Sequence, residues 1–134
     1  MSLMKLEVVT PTGAVISEEV TSVVAPGATG ELGILFDHRP GLIMLGGGSL
    51  TYQGPKGAGE ILLRGGVAEV GPEKVLILAD EAFVKSGDSL ESAKTIASSL
   101  LDDAKKALLE AGFISDEEFE KMESDTRFAE AVLG

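Results

Sequence analysis

The residues best able to do chemistry lie together in GELGILFDHRP, residues 30–40, which holds Glu31, Asp37, Arg39 and His38, the only histidine of the 134-residue chain. Nucleophilic catalysis needs a Ser, Thr or Cys beside a base and an orienting acid. Cys is absent, which removes a thiol nucleophile, disulfides and thiolate metal sites; one His without Cys does not make up a protein-ligated zinc set. His38, followed by Arg39 and Pro40, suits a rigid exposed turn. The sequence contains neither a G-x-x-x-x-G-K-[ST] phosphate loop nor a G-x-S-x-G elbow. GGGSL, residues 46–50, is glycine-rich but has no Lys, and it reads as a flexible turn. The pairs Glu18–Glu19 and Asp102–Asp103 fall in an expected turn and on an expected helix, where they read as solvated surface. The expectation is no catalytic residue, no cofactor and no metal. What remains is Glu31, Asp37, His38 and Arg39 on a loop shaped by Gly30 and Gly33, the manner in which a binding module presents polar groups.

Composition narrows the partners of such a loop. The length fits one domain or one domain with a small appendage, and 44% apolar with 25% charged residues is the profile of a folded protein. A net charge of −11 opposes binding to nucleic acid, which needs clustered cations, and direct contact with anionic lipid. No apolar run reaches the ~18 residues needed to span a bilayer. No basic region followed by an apolar stretch opens the chain. Met1–Leu3 reads as a leader ahead of a natural start at Met4.

Two kinds of element must position the loop. Up to about residue 86 the chain consists of short apolar runs broken by Gly and Pro. In MKLEVVT the residues Met4, Leu6 and Val8 share a face; VTSVVAP, ELGILF, LIMLG, SLTYQG, EILLRG, GVAEVG and KVLILAD follow. Strands recurring about every ten residues without intervening helices imply antiparallel pairing in a β-sandwich or barrel. From residue 88 the period becomes helical, with Leu90, Ala93, Ala97, Leu100, Ala104, Ala107, Leu108 and Ala111 in one stripe. Asp88 with Glu91 reads as a capping box, and Gly112 stands where the helix should end. A second helix starts at Ser115 with Glu118 as its capping partner; Ile114 and Phe119 suit a staple, and the stripe runs through Met122, Thr126, Ala129 and Leu133. Ordering such a hairpin costs about 1 kcal/mol or more per residue, and its Ala-rich stripe buries little area. The hairpin is therefore expected to lean on the sandwich and to be able to detach.

These residues resemble the epsilon subunit of the F-type ATP synthase. GELGILFDHRP is similar to that family's GELGI strand and His-x-Pro turn, with Gly30, Glu31, Leu32, Gly33, Ile34, His38 and Pro40 matching. EVVTPTG resembles its first hairpin. GGVAEVGPEKVLILADEA, residues 65–82, resembles its last sandwich strands through Gly65, Gly66, Glu69, Val70, Val75, Ile77, Leu78 and Ala79. The resemblance implies a mainly β plus α fold: a ten-stranded antiparallel β-sandwich over residues 1–86, then a mobile, regulatory two-helix hairpin over 87–134. It implies a non-catalytic central-stalk rotor subunit that packs on gamma and stands on the c-ring, passing ring rotation to the catalytic head from the cytoplasmic face of the membrane. Gly30, Glu31, Gly33 and His38 would lie at the ring contact.

In many members the hairpin extends to the alpha/beta head and inhibits hydrolysis through basic side chains. Residues 88–134 here carry five basic against twelve acidic side chains, net −7, so Lys105 and Lys106 are the only cluster able to serve. Some members bind ATP through Ile/Leu-Asp-x-x-Arg-Ala on the first helix. DSLESA stands there instead, with Ser89 and Ser92 at the Asp and Arg positions. A nucleotide-responsive hairpin is the alternative reading; an unrelated sandwich enzyme with a helical lid would need a pocket organised around His38.

Overall fold

A computed structural model describes residues 2–87, 89–111 and 115–134. Its elements are β1 (Met4–Thr10), β2 (Gly13–Val20), β3 (Ser22–Gly27), β4 (Gly30–Leu35), β5 (Gly41–Gly54), β6 (Gly57–Val70), β7 (Lys74–Ala79), β8 (Ala82–Val84), α1 (Leu90–Ala111) and α2 (Asp116–Leu133). The alternation expected of β1 is present: Met4, Leu6 and Val8 are buried while Lys5 is exposed.

The eight strands form one hydrogen-bonded path, β2-β1-β7-β6-β5-β3-β4, with β8 added on β6, rather than the ten separate antiparallel strands expected. Two causes account for the difference. β5 and β6 each run 14 residues and pass from one layer of the sandwich to the other, so each does the work of two strands. β1 also lies parallel to β7, Leu6 opposite Val75 and Val8 opposite Ile77, because the first hairpin inserts beside a strand from the end of the sandwich half.

The crossing points are glycines. In β5 the inward residues change from Leu45 to Leu50, and in β6 from Ile61 and Leu63 to Ala68 and Val70. The facing parity flips in both. Gly65 at φ 121° and Gly66 at φ 139° take backbone conformations that side chains rarely adopt, and a Cβ on Gly66 would collide with the Leu78 carbonyl. GGGSL is thus not a flexible turn. Gly46, Gly47 and Gly48 are buried inside β5, with Gly47 paired to Arg64 and Gly48 to Leu63. Nor do Glu18 and Glu19 lie in a turn; they belong to β2, opposite Leu6 and Lys5.

One layer therefore holds β2, β1, β7 and the first part of β5 with the last part of β6. The other holds β4, β3, β8 and the remaining parts. Between them lies a core of Leu6, Val8, Val23, Ile34, Leu50, Ile61, Leu63 and Ile77, each at most 1% exposed.

The helical hairpin packs on the outside of the second layer. Leu62 of β6 joins Ala93, Ala97, Phe128, Ala129 and Val132 in a separate apolar cluster, with Phe83 of β8 beside it. The Phe83 and Phe128 rings are 5.9 Å apart. The α1 stripe is as expected at Ala93 and Ala97. On α2 Ala129 is buried as expected, but the buried face is turned toward Phe128 and Val132, whereas Phe119 is 52% and Leu133 49% exposed. The spacing admitted both faces, and Phe128 is the one that packs in the cluster with Leu62. Ser115 caps α2, its Oγ accepting from the Glu118 amide at 3.1 Å, and Asp116, Glu117 and Glu118 complement the positive end of the helix dipole. The expected Asp88 capping box, Gly112 stop and Ile114 staple lie outside the described residues.

Candidate docking surface

GELGIL folds as a strand because Leu32 and Ile34 face the core opposite Ala25 and Val23. Glu31 and Gly33 consequently face outward and are exposed. β4 is the terminal strand of the sheet, so among the described residues its far edge has no neighbouring strand. Glu31 and His38 are not held on one loop. Glu31 follows the tight β3–β4 turn, where a Cβ on Gly27 would lie 2.6 Å from the Gly30 carbonyl oxygen. His38 lies beyond the other end of the strand, and the four residue steps from Glu31 to Leu35 alone span about 13 Å.

Each end is anchored. The Ala28 amide in the first turn donates to the Met44 carbonyl at 2.9 Å, and the Asp37 amide in the second donates to the Pro72 carbonyl at 2.7 Å. Asp37 takes φ 68°, a left-handed conformation that Asp tolerates better than most residues. This residue reverses the chain into His38, Arg39 and Pro40.

The half-buried His38 ring is 2.8 Å from the Arg39 carbonyl through Nδ1. A carbonyl oxygen only accepts, so Nδ1 carries a proton in this contact. Among the described residues no carboxylate hydrogen-bonds this ring. The arrangement holds the imidazole in one orientation; it does not assemble a base with an orienting acid. Asp37 and Arg39 are exposed beside it.

The glycines of this edge are unlike those of the crossing points. A Cβ on Gly30 or Gly33 would meet nothing within 4 Å. Gly30 needs its freedom for φ 143°, but Gly33 has an ordinary backbone and open space around it. Among the described residues nothing requires a glycine at Gly33. A bare backbone is available there for close approach by another molecule.

Elsewhere the polar groups serve the fold. Ser49 donates to the Glu60 carboxylate, and Lys85 sits 3.2 Å from it. The serine hydrogen bond holds the Glu60 carboxyl below its ordinary range, with a further contribution from Lys85 against the opposing effect of burial. Tyr52 titrates above its usual value through burial and the nearby Glu18 carboxylate. Arg64 bridges the sandwich and α2, 2.6 Å from Glu81 and 3.6 Å from Asp125, with its guanidinium 6.0 Å from the Phe128 ring centre. A groove of about 490 Å³ opens beside it, lined in part by Asp80, Lys121 and Ser124. Among the described residues no group of three or more His, Asp or Glu side chains is placed to hold a metal ion. Lys105 and Lys106 are exposed on α1.

Two features escaped the sequence reading. One is the seat of the hairpin, where the Gly47 amide donates to Ser124 Oγ at 2.6 Å. The other is the outer face of the first layer, where Leu42, Met44 and Leu78 lie exposed. A signal for the second was present: LIML and VLIL are apolar at both strand parities, although one face suffices for the core.

Residues 3–85 match the family model described as ATP synthase, Delta/Epsilon chain, beta-sandwich domain. The chain is 42% identical over 106 residues to an ATP synthase epsilon chain of Helicobacter pylori strain Shi470, covering 78% of this chain and 86% of that one. It is 44% identical over 90 residues to the ATP synthase epsilon chain of Desulforapulum autotrophicum, covering 66% and 67%. The fold is similar to that of a chain in the Euglena gracilis mitochondrial ATP synthase, with a TM-score of 0.70 at 18% identity over 99% of this chain and 81% of the other. A chain in the central stalk/c-ring structure of the Tetrahymena thermophila mitochondrial ATP synthase is also similar, with a TM-score of 0.59 at 17% identity over 96% of each.

Proposed function

This chain belongs to the ATP synthase epsilon-chain family, and we propose that it is a non-catalytic central-stalk subunit passing c-ring rotation through gamma to the catalytic head. The observation that carries the ring contact is the bare edge of β4, where the space beside Gly30 and Gly33 is open and Glu31 is exposed between them. A polar loop of the ring laid along this edge would meet the Glu31 carboxylate at one end and His38 at the other. Gly33 between them lets the two backbones approach. Polar contacts of this kind set orientation at the rim of an interface.

The fold supports a division of labour. Residues 1–86 would form the rigid body that bears on ring and gamma, and residues 87–134 a hairpin able to leave its seat. If the hairpin reaches the alpha/beta head, Lys105 and Lys106 would make the inhibitory contact there, against the net −7 of residues 88–134. No described helix is long and apolar enough to cross a membrane. We place the chain peripherally, at the cytoplasmic face, held by its protein partners.

The test is retention of the chain on the purified ring. The parent chain should co-purify with gamma and c-ring, and a Glu31→Ala/His38→Ala variant should be lost from the ring at a salt concentration the parent survives. Equal retention of the variant would remove the ring assignment.

A further inference from the structure

We infer that the free chain exchanges hairpins with a second copy: α2 of each copy leaves its own seat and fills the identical seat on its partner, giving a dimer built from the contacts of the monomer. This rests on the detachable hairpin proposed above and is independent of the ring contact. Exchange of an identical element is a low-cost route to a dimer, because only the connection between the two bodies changes.

The seat is separate from the core. Leu62, Ala93, Ala97, Phe128, Ala129 and Val132 form their own buried cluster, whereas Leu6, Val23, Ile61 and Ile77 belong to another, so the hairpin can leave without opening the sandwich. Most of the seating is done by α2, the helix farther along the chain. It brings Phe128 against Phe83, Asp125 to within 3.6 Å of Arg64 and Ser124 Oγ to the Gly47 amide. α1, which the connection holds, adds Ala93 and Ala97. The connection is residues 85–89, between β8 and α1. Its turn is closed by the Gly87 amide on the Val84 carbonyl at 2.9 Å and the Leu90 amide on the Gly87 carbonyl at 3.3 Å. Short hinges of this kind invite exchange. Opening the turn gives up these bonds and lets the chain from Val84 to Leu90 reach about 20 Å.

The seat itself sets the occupant. Gly47 has no side chain where the Ser124 carbonyl of α2 lies, and a Cβ there would collide with it. Leu62 is fully buried in the cluster with Phe128, and the Arg64 guanidinium lies 6.0 Å from the Phe128 ring centre. A helix that fills this seat needs Ser, Asp, Phe and Val at the spacing of Ser124, Asp125, Phe128 and Val132, which a second copy carries. An unseated hairpin leaves Leu62, Phe83, Phe128 and Val132 in water, and their burial drives it to a seat, its own or another's. Concentration decides between the two. A short connection supplies the chain's own hairpin at an effective concentration on the order of millimolar, so the parent stays closed at micromolar concentration and exchange sets in toward millimolar. Two chains of net charge −11 repel each other; salt at about 0.15 M, with a Debye length of about 8 Å, screens most of that repulsion.

The experiment uses two charge-reversed variants of the full chain, Arg64→Asp and Asp125→Arg. Each places like charges together in its own seat, where the parent side chains are 23% and 17% exposed, and α2 amides should exchange on the order of a hundredfold faster than in the parent. Mixed in equal amounts, the variants satisfy both seats only by exchange. The hairpin of the Arg64→Asp copy carries Asp125 to the other copy's Arg64, and the Asp125→Arg hairpin brings its cation to the carboxylate at position 64 of the first. At a concentration where the parent is monomeric, the mixture should sediment as a dimer with α2 protection restored, while each variant alone is a monomer with α2 open. A mixture that stays monomeric with α2 open overturns the exchange, as does a dimer in which α2 remains unprotected. Single variants with unchanged α2 exchange would remove the detachable hairpin as well, and the ring contact stands apart from either result. Amides of β1 and β7 report whether each variant keeps its sandwich. Where they lose protection the parent decides: light and isotopically heavy parent chains mixed at millimolar concentration should form dimers of mixed mass with α2 as protected as in the monomer, and monomers alone would refute the inference.

Discussion

Gly47→Ala should unseat the helical hairpin while leaving the sandwich intact. Gly47 has no positive φ, so its backbone accepts alanine, and alanine in a strand is favoured over glycine by roughly 0.5–1 kcal/mol. The obstacle lies outside the strand. The added Cβ would collide with the Ser124 carbonyl oxygen and lie 3.1 Å from Phe128 Cβ. Relief requires α2 to lift, which breaks the 2.6 Å bond from the Gly47 amide to Ser124 Oγ and disturbs Phe128, which is fully buried. Overpacking of this sort costs about 1–3 kcal/mol and the lost hydrogen bond about 1 kcal/mol. The ratio of seated to unseated hairpin should then fall roughly thirtyfold to several hundredfold. Native-state amide exchange reads this directly: α1 and α2 amides should exchange faster by that factor, while β1 and β7 keep their protection. Unchanged exchange in α2 would refute the reasoning, as would an equal loss of protection in β1 and β7, which would mean that hairpin and sandwich open as one unit.

Gly33→Ala should leave the melting temperature of the isolated chain unchanged or slightly raised, because its Cβ meets nothing within 4 Å, yet weaken retention on the c-ring; a ring that holds it as tightly as the parent contradicts close backbone approach at β4. Arg64→Ala removes the cation between Glu81 and Asp125 and should destabilise the seated hairpin by about 1–3 kcal/mol, read as an earlier loss of helix in urea; an unchanged midpoint argues against the bridge. The Glu60 carboxyl is held below its ordinary value of 4.5 by Ser49 and Lys85, so its ionised form stabilises the fold above that value and the contribution disappears as pH falls through the lower, folded-state value. Glu60→Gln should flatten this part of the acid-stability curve, and curves of identical slope would show that Glu60 carries none of it.

The strand half was legible because alternation is local: Met4, Leu6 and Val8 announce their face, as do Val75 and Ile77. The strand count was not. Gly46–Gly48 and Gly65–Gly66 have the composition of turns, and only pairing across β5 and β6 shows that they carry continuous strands between layers. β8 escaped notice because its three residues are too few for any period. On α2 the pattern admitted two faces, and the choice of Phe128 over Phe119 depends on Leu62 and Phe83, far away in sequence. The candidate surface divides in the same way. Glu31, His38, Gly30 and Gly33 stood out by residue type, whereas their placement at opposite ends of an edge strand required the register of β3 and β4.

The central claim is that a rigid sandwich transmits rotation between ring and stalk, and the most direct measurement is ATP-driven proton pumping by membranes whose synthase has been stripped of this subunit. Adding the chain should restore pumping coupled to hydrolysis, and the Glu31→Ala/His38→Ala variant should restore measurably less at equal concentration. Hydrolysis that stays uncoupled after the parent chain is added, with no chain retained on the complex, would contradict the account.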